Sequence, residues 1–391
     1  MFHLSAEELE KLGAEMTARE IKQQPEIWKE AFDNYLSSKE SITAFLNRVT
    51  ASAGGKQVKV IFTGAGSSEY VGNSIFAYLQ TYGDRSAFLF SSIATTDLVS
   101  APHYYLFEED TVLLVSFARS GNSPESTAAV DLANRLAGNC FHLIITCAPE
   151  GALAREAQTA DNSLLLLMPD RSNDGGFAMT GSFSCMMLTA LLIFDKETAD
   201  DDKRHYVSVM AALAADVISR EEELQAVVDL DFNRISYIGS GCLAGLTKEA
   251  RLKILELTAG KIATVFDSSM GFRHGPKSFV DEKTLLIGFV NNNPYVRQYD
   301  LDVLEEVYSD QIAVKTLAVA QKGERNFSGA TFTFAPAELL PDAYLAFPMI
   351  VVAQVIALLS SVKVKNLPDR PSATGQVNRV VKGVTIHELI K

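Results

Sequence analysis

Two stretches of this chain repeat each other, and the repeat limits what it can fold into. Arg234-Ile-Ser-Tyr-Ile-Gly-Ser-Gly241 mirrors Lys59-Val-Ile-Phe-Thr-Gly-Ala-Gly66, and Thr284-Leu-Leu-Ile-Gly-Phe289 mirrors Thr111-Val-Leu-Leu-Val-Ser116. The offsets, 175 and 173 residues, nearly agree, as a duplicated domain requires. Further strand-type runs, Ala87 to Ser91, Phe141 to Thr146 and Ser163 to Met168, alternate with helical stretches. That alternation predicts an α/β fold with mostly parallel, doubly wound sheets. The expected layout is an N-terminal helical arm over 1–50, a first domain over 51–200, a second over 201–365, and a tail over 366–391. The segment Asp195 to Leu230 reads as a charged helical connector.

The two copies are unequal. After its strand, Val112 to Val115, the first copy runs through Ser116, Arg119, Ser120, Gly121, Asn122 and Ser123, then starts a helix with Ser123 as N-cap and Pro124 at the first helical position. Hydroxyls, an arginine and a helix N-terminus around one glycine suit a bound anion such as phosphate. The plainer alternative is a well-capped βα turn. No Gly-Lys-Ser/Thr follows, so this is not a Walker loop. The other loop, Gly64-Ala-Gly66-Ser67-Ser68, places Glu69 where a dinucleotide fingerprint needs its third glycine, so no nucleotide cofactor is expected. The second copy has Cys242 and Leu243 in place of Ser67 and Ser68, and Asn291-Asn-Asn-Pro294 in place of the hydroxyl loop. The anion is therefore expected on the first copy only.

A net charge of −13 argues against a nucleic-acid partner. The N-terminus, MFHLSAEELEKLG, has no apolar signal core, and no run is read as long enough to span a membrane, so a cytoplasmic location is expected. Cys140, Cys147, Cys185 and Cys242 show no metal or disulfide spacing, the six histidines form no H-E-x-x-H pair, and no metal is expected. In the arm, Ser5-Ala-Glu-Glu8 and Thr17-Ala-Arg-Glu20 both read as capping boxes. Pro25 separates the second helix from a third carrying Trp28, Phe32 and Tyr35, and the arm is expected to pack on a domain or on a partner subunit.

Chemistry is concentrated in the second copy. Lys248 to Gly260 reads as a helix with Lys253 and Glu256 on one face. Ile254, Leu255 and Leu257 desolvate Glu256, which suits a general base; the alternative is a surface ion pair, with Glu249 the next candidate base. His274, followed by Gly275 and Pro276, is placed on a loop.

At these residues the chain resembles the sugar isomerase (SIS) family, in particular the isomerase half of glucosamine-6-phosphate synthase. The resemblance covers residues 50 to 391 as two tandem SIS domains and rests on the Gly66-Ser67-Ser68 loop, Ser120 to Ser123, K-x-x-E, H-G-P and the tail Val381-Lys-Gly-Val-Thr385. It implies phosphate binding by Ser68, Ser120 and Ser123, and C1–C2 proton transfer by Glu256. It also implies ring opening assisted by His274 from a neighbouring subunit of a homo-oligomer, a Lys382 lying over the site, and further substrate contacts from Thr180 and Ser182. The synthase's glutamine-hydrolysing domain and its leading cysteine have no counterpart at Phe2, so deamination or plain isomerisation is implied. In layout the chain is similar to the galactosamine-6-phosphate deaminase/isomerase branch, which implies conversion of galactosamine 6-phosphate to tagatose 6-phosphate and ammonia. A ketose/aldose isomerase of a neutral hexose 6-phosphate and a non-catalytic sugar-phosphate-binding regulator are the alternatives.

Overall fold

The computed structural model describes residues 1–375, 377–381 and 383–389. Its strands form two five-stranded sheets. In the first sheet, β1 (Val58–Thr63), β2 (Phe88–Ser92), β3 (Thr111–Ala118), β4 (Asn139–Thr146) and β5 (Ser163–Leu167) lie in the order β2-β1-β3-β4-β5. In the second, β6 (Arg234–Gly239), β7 (Ala263–Ser268), β8 (Thr284–Phe289), β9 (Lys315–Ala320) and β10 (Ala330–Thr333) lie in the order β10-β9-β8-β6-β7. Every pairing is parallel, and strand for strand the two orders are the same. The expected pair of doubly wound domains is what forms. Strands of a parallel sheet are covered on both faces, which is why β3 and β8 read as unbroken apolar runs and are buried nearly end to end.

The chain divides into two compact units. One holds the first sheet and comprises Ile27–Asn173, Gly181–Asp200 and Thr374–Lys391; the other holds the second sheet and comprises Met1–Glu26, Asp174–Thr180 and Asp201–Ala373. The long helix Gln24–Ser52 begins in the second-sheet unit and continues in the first. Its Trp28 is fully buried and donates its indole N–H to Ser184 Oγ at 2.8 Å.

The stretch read as a connector is largely two helices, Asp200–Ser219 and Glu221–Val228. Two readings need correction. Ser5 and Glu8 form the expected capping box, but Thr17 and Glu20 do not. Thr17 lies inside the helix Glu15–Lys22, and its hydroxyl and backbone N–H go to the Asp369 carboxylate at 2.7 and 2.8 Å. A charged acceptor from a distant segment outcompetes a local cap. The second correction concerns Asp342–Lys363. By length and composition this helix could cross a membrane, but Pro348 and Gln354 break its apolar run in the sequence. Its residues from Ala343 to Ser361 are all buried, making it the core helix of the second-sheet unit.

Candidate functional site

In the first sheet, β1 connects to β2 on one side and β3 leads to β4 and β5 on the other. A crevice therefore opens beyond the carboxyl ends of β1 and β3, which are paired through Thr63 and Ser116. Both loops singled out in the sequence leave from these two ends. Gly66, at φ +60°, caps the helix Ser67–Asn73, and Ser67 and Ser68 are buried at its first turn. Gly241 repeats that conformation at φ +61° in the other unit, so the duplication extends to the backbone of one residue.

Beyond β3, Arg119 is buried and donates to the carbonyl of Arg379 in the C-terminal tail at 2.9 Å. Ser120 is half-buried beside Gly121, whose φ of +63° turns the chain. Ser123 occupies the expected N-cap position of the helix Pro124–Leu136, but its hydroxyl meets Ser126 Oγ at 2.5 Å instead of the helix's own N–H groups. The Asn122 side-chain oxygen accepts from Ala152 N–H at 3.0 Å, anchoring the neighbouring helix Ala152–Thr159. Ser182 is fully buried at the start of the helix Gly181–Phe194, which packs on Ser67–Asn73. Gly66, Ser67, Ser68, Arg119, Ser120, Asn122, Ser123 and Ser182 thus belong to one unit, most of them at one end of one sheet.

Thr180 belongs to the other unit, where its N–H and hydroxyl bond the buried Asp174 carboxylate at 2.8 and 3.0 Å. Asp174 begins a loop fastened to the arm, because Glu20 accepts the Gly175 N–H at 2.7 Å and the Gly176 N–H at 3.2 Å. The sequence reading missed this clamp, which no local motif announces.

The K-x-x-E pair lies on the helix Cys242–Leu257. Lys253 and Glu249 are fully buried and Glu256 is 23% exposed, so the surface-pair alternative fails for the lysine. Lys253 Nζ lies 2.7 Å from Glu256 Oε2 and 3.2 Å from Glu249 Oε1. Burial alone would discharge this lysine, but the neighbouring carboxylates, Glu249 foremost, outweigh it and hold the ammonium above its ordinary range. The E-x-x-x-K-x-x-E spacing contained this triad; only the burial of its first two members was hidden. His274 is exposed on a loop between Ser269–Phe272 and the short turn Pro276–Phe279. Its neighbours fix that loop: Arg273 and Lys277 both bind Glu306, and Lys277 also reaches Asp310 at 2.6 Å. Lys382 lies outside the described residues.

Two such sheets, with these loops at the carboxyl ends of their strands, define an SIS-domain protein, and residues 56–194 match the SIS domain family. The chain is 41% identical to D-galactosamine-6-phosphate deaminase AgaS of Escherichia coli over 373 residues, 95% of each chain. It is 38% identical to the protein of the same name from Shewanella sp. (strain ANA-3) over 389 residues, 99% of this chain and 96% of that one. The crystal structure of tagatose-6-phosphate ketose/aldose isomerase from Escherichia coli matches at TM-score 0.87 and 39% identity, over 95% of this chain and 96% of that one. The chain belongs to the AgaS family of SIS-domain proteins.

Proposed function

We propose that this chain is an amino-sugar phosphate deaminase/isomerase that converts galactosamine 6-phosphate and water to tagatose 6-phosphate and ammonia. The observation that carries the reading is the buried Lys253 held between Glu249 and Glu256. A regulator that only binds a sugar phosphate has no use for a carboxylate set against a buried ammonium. The names of its relatives support the substrate class.

The phosphate is assigned to Ser68, Ser120 and Ser123 with Gly66, Ser67, Arg119, Asn122, Thr180 and Ser182 around the substrate. In the open-chain sugar the C1 aldehyde acidifies the C2–H, and Glu256 takes that proton. The electron pair moves into a C1–C2 double bond, and O1 takes up a proton. Return of a proton to C1 leaves an imine at C2, which water hydrolyses to the ketone and ammonia. The Lys253 ammonium offsets negative charge developing beside Glu256. His274 and Lys382 are assigned to ring opening and to covering the substrate, and the working form is a homo-oligomer. A phosphorylated substrate does not cross a bilayer unaided, and the reaction is assigned to the cytoplasm.

The test is ammonia release and ketose formation from galactosamine 6-phosphate, with glucosamine 6-phosphate alongside. Stoichiometric ammonia and tagatose 6-phosphate are expected. The likeness to a tagatose-6-phosphate ketose/aldose isomerase favours a second reading in which a neutral hexose 6-phosphate is isomerised. Turnover of tagatose 6-phosphate to its aldose, with no ammonia from either amino sugar, would establish that reading instead.

A further inference from the structure

The duplication gives the fold two equivalent sheet ends, and two carboxylates of the chain itself lie at the second. The second lies at the carboxyl ends of β6 and β8, which are paired from Arg234 and Thr284 to Ile238 and Gly288. Asp300, 2% exposed, accepts from Ser240 Oγ and Ser269 Oγ at 2.5 Å each and from the Asn291 N–H at 2.9 Å. Asp342 accepts the backbone N–H of Cys242, the first residue of the helix carrying Lys253 and Glu256, and the Asn291 side-chain amide at 3.4 Å. Its Oδ2 would stand 3.0 Å from a Cβ built on Gly241, so the carboxylate lies against the turn that matches Gly66. Burial raises the pKa of this carboxyl above the ordinary aspartate value, although the bonds from Asn291, Cys242 and Ala343 pull it back.

Asp342 opens the helix Asp342–Lys363, which packs on Cys242–Leu257. In the first copy the corresponding helix, Gly181–Phe194, packs on Ser67–Asn73 and opens with Gly181 and Ser182. Where one copy carries a carboxylate, the other carries a hydrogen and a hydroxyl. We infer that Asp342 is a positioning residue: its carboxylate fills, in the second crevice, the seat that the first leaves to the substrate's phosphate, and this internal anion fixes the N-terminal end of the helix bearing Glu256. A carboxylate at that end meets backbone N–H groups and the positive end of the helix dipole, as a phosphate would. The inference rests on the reading that the first crevice takes phosphate.

The test uses the full chain with Asp342→Gly, which copies Gly181, and Asp342→Asn, which keeps the seat filled without the charge. Equilibrium dialysis with inorganic phosphate should count one site per native chain, displaced by the sugar phosphate. Asp342→Gly should show a second site that the sugar phosphate displaces poorly. A displaced base predicts a fall in kcat of about 10–100-fold in both variants, with KM little changed. Sodium formate, but not chloride at equal ionic strength, should restore kcat in Asp342→Gly and leave Asp342→Asn unimproved, because its seat is full. One phosphate in the native chain and one in folded Asp342→Gly, with no effect of formate, would overturn the inference alone. No phosphate on the native chain would overturn the reading of the first crevice. If Asp342→Gly does not fold, Asp342→Asn decides, and native kcat in that variant rejects the positioning role.

Discussion

Glu256 and Lys253 occupy one turn of one helix, yet substitution at each should have a different consequence. Glu256→Gln keeps shape and cannot accept a proton, so kcat should fall by about 10²–10⁴-fold or more while substrate still binds. Retention of C2 deuterium in that variant would confirm the base, whereas normal washout would move it, with Glu249 next to test. Lys253→Ala should act on stability first, because it removes the ammonium paired with the fully buried Glu249; breaking a buried pair costs on the order of 3–5 kcal/mol, read as a lower denaturation midpoint. Adding Glu249→Gln to Lys253→Ala should recover part of that loss, and a single variant as stable as the native chain would refute the argument. Ser120→Ala and Ser123→Ala should each weaken sugar-phosphate binding by about 1.5–3 kcal/mol, and unchanged KM and kcat in both would remove this loop from the phosphate site. Residue types and spacings made these candidates legible in the sequence. The burial of Lys253 was not legible, because the helix is apolar on more than one side and packing against Asp342–Lys363, β6 and β7 decides which sides are covered.

Among elements, all five strands of the first sheet and β6 and β8 of the second were readable, whereas β7, β9 and β10 were not. The glycine turns after β1 and β6 announced their strands, while β7, one of the three that went unread, is a half-exposed edge strand, Ala-Thr-Val-Phe-Asp-Ser, with no apolar run. The helix Glu15–Lys22 was readable as a helix, but its work was not, since Asp369 and Gly175 are far away in sequence. That work has a pH signature. Burial, then the neighbouring Asp174, raises the Glu20 carboxyl from 4.5 to about 8, against the two glycine N–H bonds and Arg19. A group raised in the folded state holds a proton that unfolding releases. Its stabilisation is full below about 4.5 and is lost as pH rises through about 8. The native chain should therefore lose stability across that window, by on the order of 1–3 kcal/mol from this group. Glu20→Gln keeps an acceptor for the Gly175 N–H and has no proton to lose, so its melting temperature should vary less with pH. Identical pH profiles for the two proteins would rule out Glu20 as the titrating group.

For the whole molecule, duplication followed by divergence accounts for the division of labour. One copy keeps serines at the ends of its central strands; the other seats its own carboxylates there and carries Glu256 and His274. His274 stands exposed on a loop that Arg273 and Lys277 pin to Glu306, so a single chain presents it to solvent in a fixed place. A fixed, exposed histidine of this kind suits a site completed by a second copy. The expected assembly is at least a homodimer in which Glu256 and His274 of one working site come from different chains. Glu256→Gln and His274→Ala should each be nearly inactive alone. Mixed under conditions that exchange subunits, they should regain activity, because one hybrid site then carries neither substitution. Random pairing in a dimer makes half the molecules mixed, each with one intact site of two, so recovery should approach a quarter of native activity. Activity that stays at the sum of the two variants after proven exchange would place both residues in the same chain's site. Light scattering at assay concentration supplies the independent check, and a fully active monomer would end the argument for assembly.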